Sequence, residues 1–501
     1  MKTVLEYLEK STNKNSKKIA VIDENGQYTY KELTELSKKI GTGITKFIET
    51  RNPVPVLMEK GKDTLACFFG AAYAGCFYVL LNPDLPKIRL EHIVNVLGAK
   101  NIITDKAHEE IALELINKED ILYLDDLKST DIDEEKLNKI RENSLDLDPL
   151  YANFTSGSTG VPKGVLVGNR SVIDFIDNFT EIFKITENDI IGNQAPFDFD
   201  VSVKDIYSSI SQGATLVIIP KRLFSLPADL LNFICDNKVT TLIWAVSALC
   251  LITTFHALDY KTPETVNKVM FSGEVMPIKH LKQWIEHLPD ATFVNLYGPT
   301  EITCNCTYHV VDKNKNYDKI PAGKPFPNEQ VFLLDENNKL ITDIDVQGEI
   351  CVKGTCLALG YFNNKEQTSS SFVQNPLNNK YIDLIYKTGD LGEYNQEGEI
   401  VFLGRKDFQI KHMGHRIELE EIERAMEKVE GVERSCCIFN EQKGKLYGFY
   451  VGNIEKDEVI KYLKENLPVF MVPNKITQIE KFPITKNGKI DRKELAVMLK
   501  K

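Results

Sequence analysis

Residues 154–165 read FTSGSTGVPKGV and set Gly157, Gly160 and Gly164 among four hydroxyl side chains, Thr155, Ser156, Ser158 and Thr159. Glycine lets the backbone turn tightly and aim its N–H groups at an anion, and the hydroxyls add further donors. Lys163 contributes a positive charge suited to a polyphosphate. The spacing is not that of the common P-loop, where Gly-Lys precedes Ser or Thr; here Lys163 precedes Gly164. Taken alone, the segment could also be a Gly/Ser-rich surface turn.

Five more segments carry residues with chemical potential. Residues 295–301 (NLYGPTE) follow an apolar run and place an aromatic face, Tyr297, beside Thr300 and Glu301. Residues 386–391 (YKTGDL) hold Asp390, residues 404–418 (GRKDFQIKHMGHRIE) are rich in basic side chains, and residues 197–202 (FDFDVS) hold Asp198 and Asp200. In residues 483–491 (PITKNGKID), Asn487-Gly488 suits a tight turn that projects Lys489. Each has a plain reading too: a capped turn at Thr300, an Asx turn at Asp390, a helix-capping Asp200 and a solvated hairpin lysine.

Layered elements must position these residues. Short apolar runs at 54–58, 101–104, 215–219, 241–244 and 292–296 alternate with amphipathic stretches, the pattern of parallel strands buried on both faces. Residues 241–253 read as a buried strand running into a helix, and 116–148 as a charged surface connection. From about 321 to 404, strand-like segments alternate with Asp/Asn/Gly turns, predicting a β-rich subdomain. Beyond it, a helix over 418–429, strands at 436–440 and 445–451, and a helix over 456–466 predict a small α+β domain. The fold class expected is therefore α/β. It comprises a large multi-subdomain N-terminal domain, 1–406, and a small C-terminal α+β domain, 407–501.

Composition narrows the function. A chain of 501 residues should hold more than one core, and a net charge of −11 argues against a nucleic-acid footprint. The ten cysteines form no pair of CxxC motifs, which suggests reduced thiols in a cytoplasmic protein. No signal peptide and no bilayer-spanning run is evident, so no membrane insertion is expected.

Together these segments, from YTYKEL (28–33) and AGCFYVLLNP (74–83) to NGKID (487–491), resemble the adenylate-forming superfamily along nearly the whole chain. That superfamily includes acyl-CoA synthetases, luciferases and nonribosomal-peptide adenylation domains. The resemblance implies ATP and Mg²⁺ as cofactors. It assigns ATP contacts to Thr155, Ser156, Gly157, Ser158, Thr159, Gly160, Lys163, Asn295, Tyr297, Gly298, Thr300, Asp390, Arg405 and Lys489. In its terms Asn295 contacts adenine and Tyr297 stacks on it. Thr300 meets phosphate, Glu301 holds Mg²⁺, and Asp390 and Arg405 meet ribose. Lys489, Thr155 and Lys163 form the catalytic set, Asp407 is the hinge, and residues 411–416 serve the second half-reaction.

The substrate follows from the same resemblance. Amino-acid activators of the family carry an aspartate where Asp200 stands, paired with the substrate ammonium. The remaining pocket positions are Val201, Lys204, Trp244, Met270, Ser272, Leu296, Cys304 and Asn305, with Trp244 and Met270 limiting volume. The pattern looks most like D-alanine–carrier protein ligases and stand-alone amino-acid ligases, with D-alanine the leading substrate. Lys204 departs from a methyl-sized pocket; it either pairs with Asp198 or Asp205 or recognises an acidic or polar side chain. A β-amino acid is a further alternative. Asn169 is a second departure, where many relatives carry His. No GGxS-like site follows Lys489, so a separate phosphopantetheinylated carrier protein is the expected acceptor, with coenzyme A the alternative.

Overall fold

Alternation along the strands decides which side chains meet. The computed structural model describes residues 1–156, 162–406, 409–440, 443–484 and 490–499. In its nine-stranded sheet, Ile19–Asp23, Thr215–Ile218, Ile190–Asn193, Thr241–Ala245, Lys268–Ser272 and Thr292–Tyr297 run parallel, side by side in that order. Successive residues of a strand face opposite sides. Ile243, Met270, Val294 and Leu296 accordingly enter one core cluster, while Leu242, Trp244, Val269, Phe271 and Phe293 enter another. Both faces are covered, which explains the continuous apolar runs.

A seven-stranded sheet includes Pro53–Leu57, Phe77–Leu81, Ile102–Thr104 and Pro149–Thr155. A six-stranded sheet, led by Glu329–Leu334, Gly348–Gly354 and Leu384–Tyr394, forms the β-rich region. The strand Thr241–Ala245 passes directly into the helix Val246–Thr254. Residues 116–148 are more than a surface connection: they contain the edge strand Ile121–Tyr123 and the helices Leu124–Lys128 and Glu134–Glu142. Leu122, Leu127 and Leu137 of these elements are core residues. Their charged majority had masked a one-sided apolar face. Asn169, the departure from the family pattern, accepts from the Val4 N–H at 3.1 Å and donates to the Asp148 carbonyl at 3.0 Å, which ties down the N-terminal segment.

Contacts divide the chain into two units, the larger being Met1–Pro83, Leu97–Asn153 and Gly164–Lys406. The smaller gathers Asp84–Val96, Phe154–Lys163 and Asp407–Lys501. Within the smaller unit, Arg89 pairs with Glu421 at 2.8 Å. The strands Val432–Asn440 and Lys445–Gly452 pair antiparallel there and carry the helices Leu419–Glu427 and Lys456–Asn466. Ile417, Ile422, Met426, Leu446 and Leu463 fill its core. All ten cysteines are free thiols. Among the described residues no helix is long and apolar enough to cross a membrane.

Asp189 staples the starts of three parallel strands. Its carboxylate accepts from the Thr186 N–H at 2.8 Å, Thr241 Oγ1 at 2.8 Å, Thr240 Oγ1 at 3.0 Å and Lys268 Nζ at 2.8 Å. Burial pushes its pKa up, but these donors outweigh burial and hold it below the ordinary carboxylate value. A depressed folded pKa adds stability above the unfolded pKa of about 3.9, lost as pH falls through the lower folded value. Asp189→Ala should therefore cost about 3 kcal/mol in urea unfolding at neutral pH. The difference from the parent should shrink below about pH 4; a difference independent of pH would rule this staple out.

Candidate functional site

The carboxyl ends of parallel strands in an open α/β sheet are where ligands bind, because the loops leaving them diverge. Here those loops carry Asp200 after Ile190–Asn193, Ser272 at the end of Lys268–Ser272, and residues 297–305 after Thr292–Tyr297. Asn295 lies on that last strand and donates from Nδ2 to the Pro321 carbonyl at 2.8 Å.

Asp390 is the centre of one cluster. It sits on the strand Leu384–Tyr394 directly opposite Arg405 of Ile400–Arg405 and is 1% exposed. Being within a paired strand, it is not the Asx turn of the plain reading. Its Oδ1 accepts from Arg405 Nη1 and its Oδ2 accepts from the Tyr297 hydroxyl at 2.6 Å. Burial first, then the neighbouring carboxylate, pushes the Tyr297 phenol far above its ordinary pKa, so it stays a neutral donor. The Tyr297 ring lies buried near Phe402, centroids 6.2 Å apart. Tyr297 thus engages the acceptor that the resemblance reserves for ribose, a link that motif comparison had not revealed.

A tight turn sets the next cluster. A Cβ on Gly298 would lie 2.6 Å from Asn305 Cα and 2.8 Å from the Cys304 carbonyl oxygen, so only glycine lets these backbones approach. Thr303 and Cys304 follow with φ of 55° and 82°, a left-handed pair that costs about 1–2 kcal/mol per residue. The Thr303 hydroxyl, donating to the Cys356 carbonyl at 2.7 Å, helps hold it. Glu301 is fully buried on the 3₁₀ turn Thr300–Ile302, and its Oε1 accepts from the Tyr361 hydroxyl at 2.8 Å. Among the described residues no group of three His, Cys, Asp or Glu side chains could hold a metal. One carboxylate oxygen set matches what Mg²⁺ takes from protein when phosphate oxygens and water complete its shell. Glu301 and its Tyr361 partner therefore fit that ion.

Lys204 is fully buried on the helix Ser202–Gln212. Its Nζ donates to Asn305 Oδ1 at 2.6 Å and, more weakly, to Ser272 Oγ at 3.4 Å. Pairing with Asp198 or Asp205 is not what the structure holds. Asp205 accepts instead from Asn193 Nδ2 at 2.6 Å, and Asp198 from Asn82 Nδ2 at 3.3 Å. Neighbours on one helix turn point to different faces, which separates Lys204 from Asp205. Burial pushes Asp205 up to about 7, against the lowering effects of Asn193, Lys204 and Lys60. The Cys304 thiol donates to the same Asn305 Oδ1 at 3.6 Å, and burial raises its pKa to about 12.

Met270 and Leu296 lie on the same face as this cluster, and Asp200 and Val201 are buried just before the helix. Trp244 does not join them. It pairs in register with Phe271, shares the opposite core cluster, packs edge-on to Phe224 at 5.3 Å, and donates from Nε1 to the Gly192 carbonyl at 2.7 Å. Strand parity turns it away from the face of Met270, so the volume limit expected of it falls to Met270 alone.

Thr155, Ser156 and Lys163 belong to the smaller unit, where the Ser156 hydroxyl donates to the Arg416 carbonyl at 2.9 Å. Arg416 lies on a hairpin whose strands, Gln409–His412 and His415–Glu418, are joined by Met413 and Gly414 at φ 53° and 80°. Two positive φ values define the turn type that matches strand twist. Gly157, Ser158, Thr159, Gly160, Asp407 and Lys489 lie outside the described residues.

These elements define an adenylate-forming architecture, a mixed α/β domain with a small α+β partner. The sequence model of the AMP-binding enzyme family matches residues 8–362, and that of the AMP-binding enzyme C-terminal domain matches residues 421–489. The chain belongs to the AMP-binding enzyme family. It is 33% identical to zwittermicin A synthase ZmaJ of Bacillus cereus, over 99% of this chain and 95% of that protein. It is 31% identical to surfactin synthase subunit 1 of Bacillus subtilis (strain 168), but spans only 14% of that protein's length. In fold it is similar to the Vibrio cholerae adenylation domain AlmE in complex with glycyl-adenosine-5'-phosphate. The TM-score there is 0.87 at 22% identity, covering 99% of this chain and 97% of that one. It is similar as well to holo-PA1221, a nonribosomal peptide synthetase protein containing adenylation and PCP domains. That TM-score is 0.84 at 22% identity, covering 99% and 84% of the two chains.

Proposed function

We propose that this chain uses ATP to activate a small amino acid as an aminoacyl-adenylate and then passes it to the phosphopantetheine thiol of a separate carrier protein. The observation that carries the reading is the presence in one unit of Asp200 and Glu301, on loops at strand carboxyl ends, and of the Tyr297–Asp390–Arg405 cluster. In this reading Asp390 and Arg405 hold ribose, Asn295 and Tyr297 meet adenine, and Thr155, Ser156, Lys163 and Thr300 bind phosphate. The segment Gly157, Ser158, Thr159 and Gly160 shares that last role. Mg²⁺ at Glu301 would neutralise phosphate charge. Asp200 takes the substrate ammonium, since a buried carboxylate is stabilised by a paired cation. A substrate carboxylate oxygen forms a bond to the α-phosphorus as the bond to pyrophosphate breaks, with Lys489 neutralising charge on the oxygens.

The small C-terminal domain, residues 407–501, then rotates about Asp407, bringing the hairpin of residues 409–418 into play while a carrier thiolate displaces AMP. The unit boundary at Lys406–Asp407 and the Ser156–Arg416 hydrogen bond support that role. The fold is shared with holo-PA1221, a protein that contains adenylation and PCP domains, which is in keeping with a carrier as acceptor. Ten free thiols suit the cytoplasm. Within the amino-acid class, the sequence resemblance singles out D-alanine.

Pyrophosphate exchange across D-, L- and β-amino acids tests the reading. Exchange should depend on an amino acid and vanish with its deamino analogue. Exchange driven equally by simple carboxylic acids, with acyl transfer to coenzyme A, would replace it.

A further inference from the structure

We propose that Tyr151, Lys204, Ser272 and Asn305 form a side-chain subsite that selects an amino acid whose short side chain ends in an oxygen, a hydroxyl or a carboxylate. The inference rests on the adenylation reading and moves the preferred substrate beyond the methyl group of D-alanine.

Tyr151 carries the first observation. It is fully buried, and its hydroxyl has no hydrogen-bond partner among the described residues. Its ring cannot easily turn to find one. It lies opposite Tyr78 on the neighbouring strand with ring centroids 5.8 Å apart, and Tyr78 itself stacks on Phe68 at 3.9 Å. The Tyr78 hydroxyl is already engaged with that of Tyr207 at 3.0 Å. An orphaned buried hydroxyl is costly, and native structures keep one mainly where something else completes it. After burial, the charges that bear on this phenol are those of Asp200 and Cys304. Tyr207 lies one turn beyond Lys204 on the helix that Asp200 precedes, so Tyr78 links the Tyr151 ring to that helix.

Lys204 carries the second, independent observation. Its ammonium is fully buried, and its contacts, Asn305 Oδ1, Ser272 Oγ and the Cys304 sulfur, are all neutral. It forms no ion pair among the described residues. Asp205 acts on it through space but supplies no acceptor, and the 3.4 Å bond to Ser272 is the one most readily exchanged for a ligand oxygen. Tyr78 and Tyr207 join the Tyr151 ring to the helix that carries Lys204, so the two observations describe one site. A substrate anchored at Asp200 with a methyl side chain leaves the phenol and the ammonium as they are; a terminal oxygen would complete both.

The test is ATP–pyrophosphate exchange by the full chain with serine, aspartate, alanine and valine of both configurations. Serine or aspartate should exceed alanine of the same configuration by about 10-fold or more in kcat/KM, because a site built to hydrogen-bond discriminates strongly against an analogue that cannot. In Tyr151→Phe or Lys204→Met that ratio should fall by about 10-fold. Greater sensitivity to Tyr151→Phe identifies the hydroxyl source, and greater sensitivity to Lys204→Met the carboxylate. Alanine or valine matching the polar substrates, or a ratio unmoved in both variants, overturns the subsite while leaving adenylation intact. Should Lys204→Met fail to fold, the parent's ratio and Tyr151→Phe still decide. If ATP binds and no amino acid supports exchange, the adenylation reading falls and the subsite with it.

Discussion

Lys489→Ala should lose amino-acid-dependent pyrophosphate exchange by about 100- to 1,000-fold, the scale of removing one preorganised charge from a developing oxyanion. ATP affinity should change far less, because the proposed function also assigns the triphosphate to Lys163, the hydroxyl-rich segment and Thr300. The expected pattern is thus a fall in kcat with little change in nucleotide binding, measured by exchange kinetics beside calorimetric titration of ATP. Thioester formation from a pre-made aminoacyl-adenylate should survive, since that step leaves no carboxylate attack to assist. Exchange at the parental rate in Lys489→Ala would remove this lysine from the reaction.

Asp200→Ala should weaken amino-acid substrates by about 2–5 kcal/mol, the cost of stripping one partner from a buried charge pair. Asp200 is 5% exposed, so water cannot readily replace it. The effect should fall on the ammonium alone: a deamino analogue should lose little or even gain, because no buried carboxylate remains to desolvate. The measurement is the ratio of kcat/KM for an amino acid to that for its deamino analogue, in parent and variant. A ratio that stays constant would show that Asp200 meets something other than the amine.

Much of this chain was legible from residue order. The parallel strands were found because burial on both faces makes them continuous apolar runs; Thr241–Ala245 and Thr292–Tyr297 lie where those runs predicted. The helix Lys456–Asn466 spans the residues its pattern marked. Residues 116–148 were misread because charges outnumber their apolar residues and the pattern carries little periodicity, yet Leu122, Leu127 and Leu137 each reach the core. Charge content reports exposure of most residues in a segment and says little about the minority that anchor it.

The site divides in the same way. Residue types and their order along the chain were enough to propose a phosphate-binding segment, a single metal-suited carboxylate and a substrate-facing aspartate, because each role demands a particular functional group. Which of those groups touch was decided by the tertiary fold. Asp390 holding Tyr297, Tyr361 holding Glu301, and Lys204 turned from Asp205 toward Asn305 are contacts between distant segments. The parity of a strand sends Trp244 to one face and Met270 to the other. The unmatched hydroxyl of Tyr151 is likewise invisible in sequence, because whether a polar atom finds a partner depends on what packing brings within 3 Å of it. Composition sets what chemistry a chain can do; packing sets which donors remain available to do it.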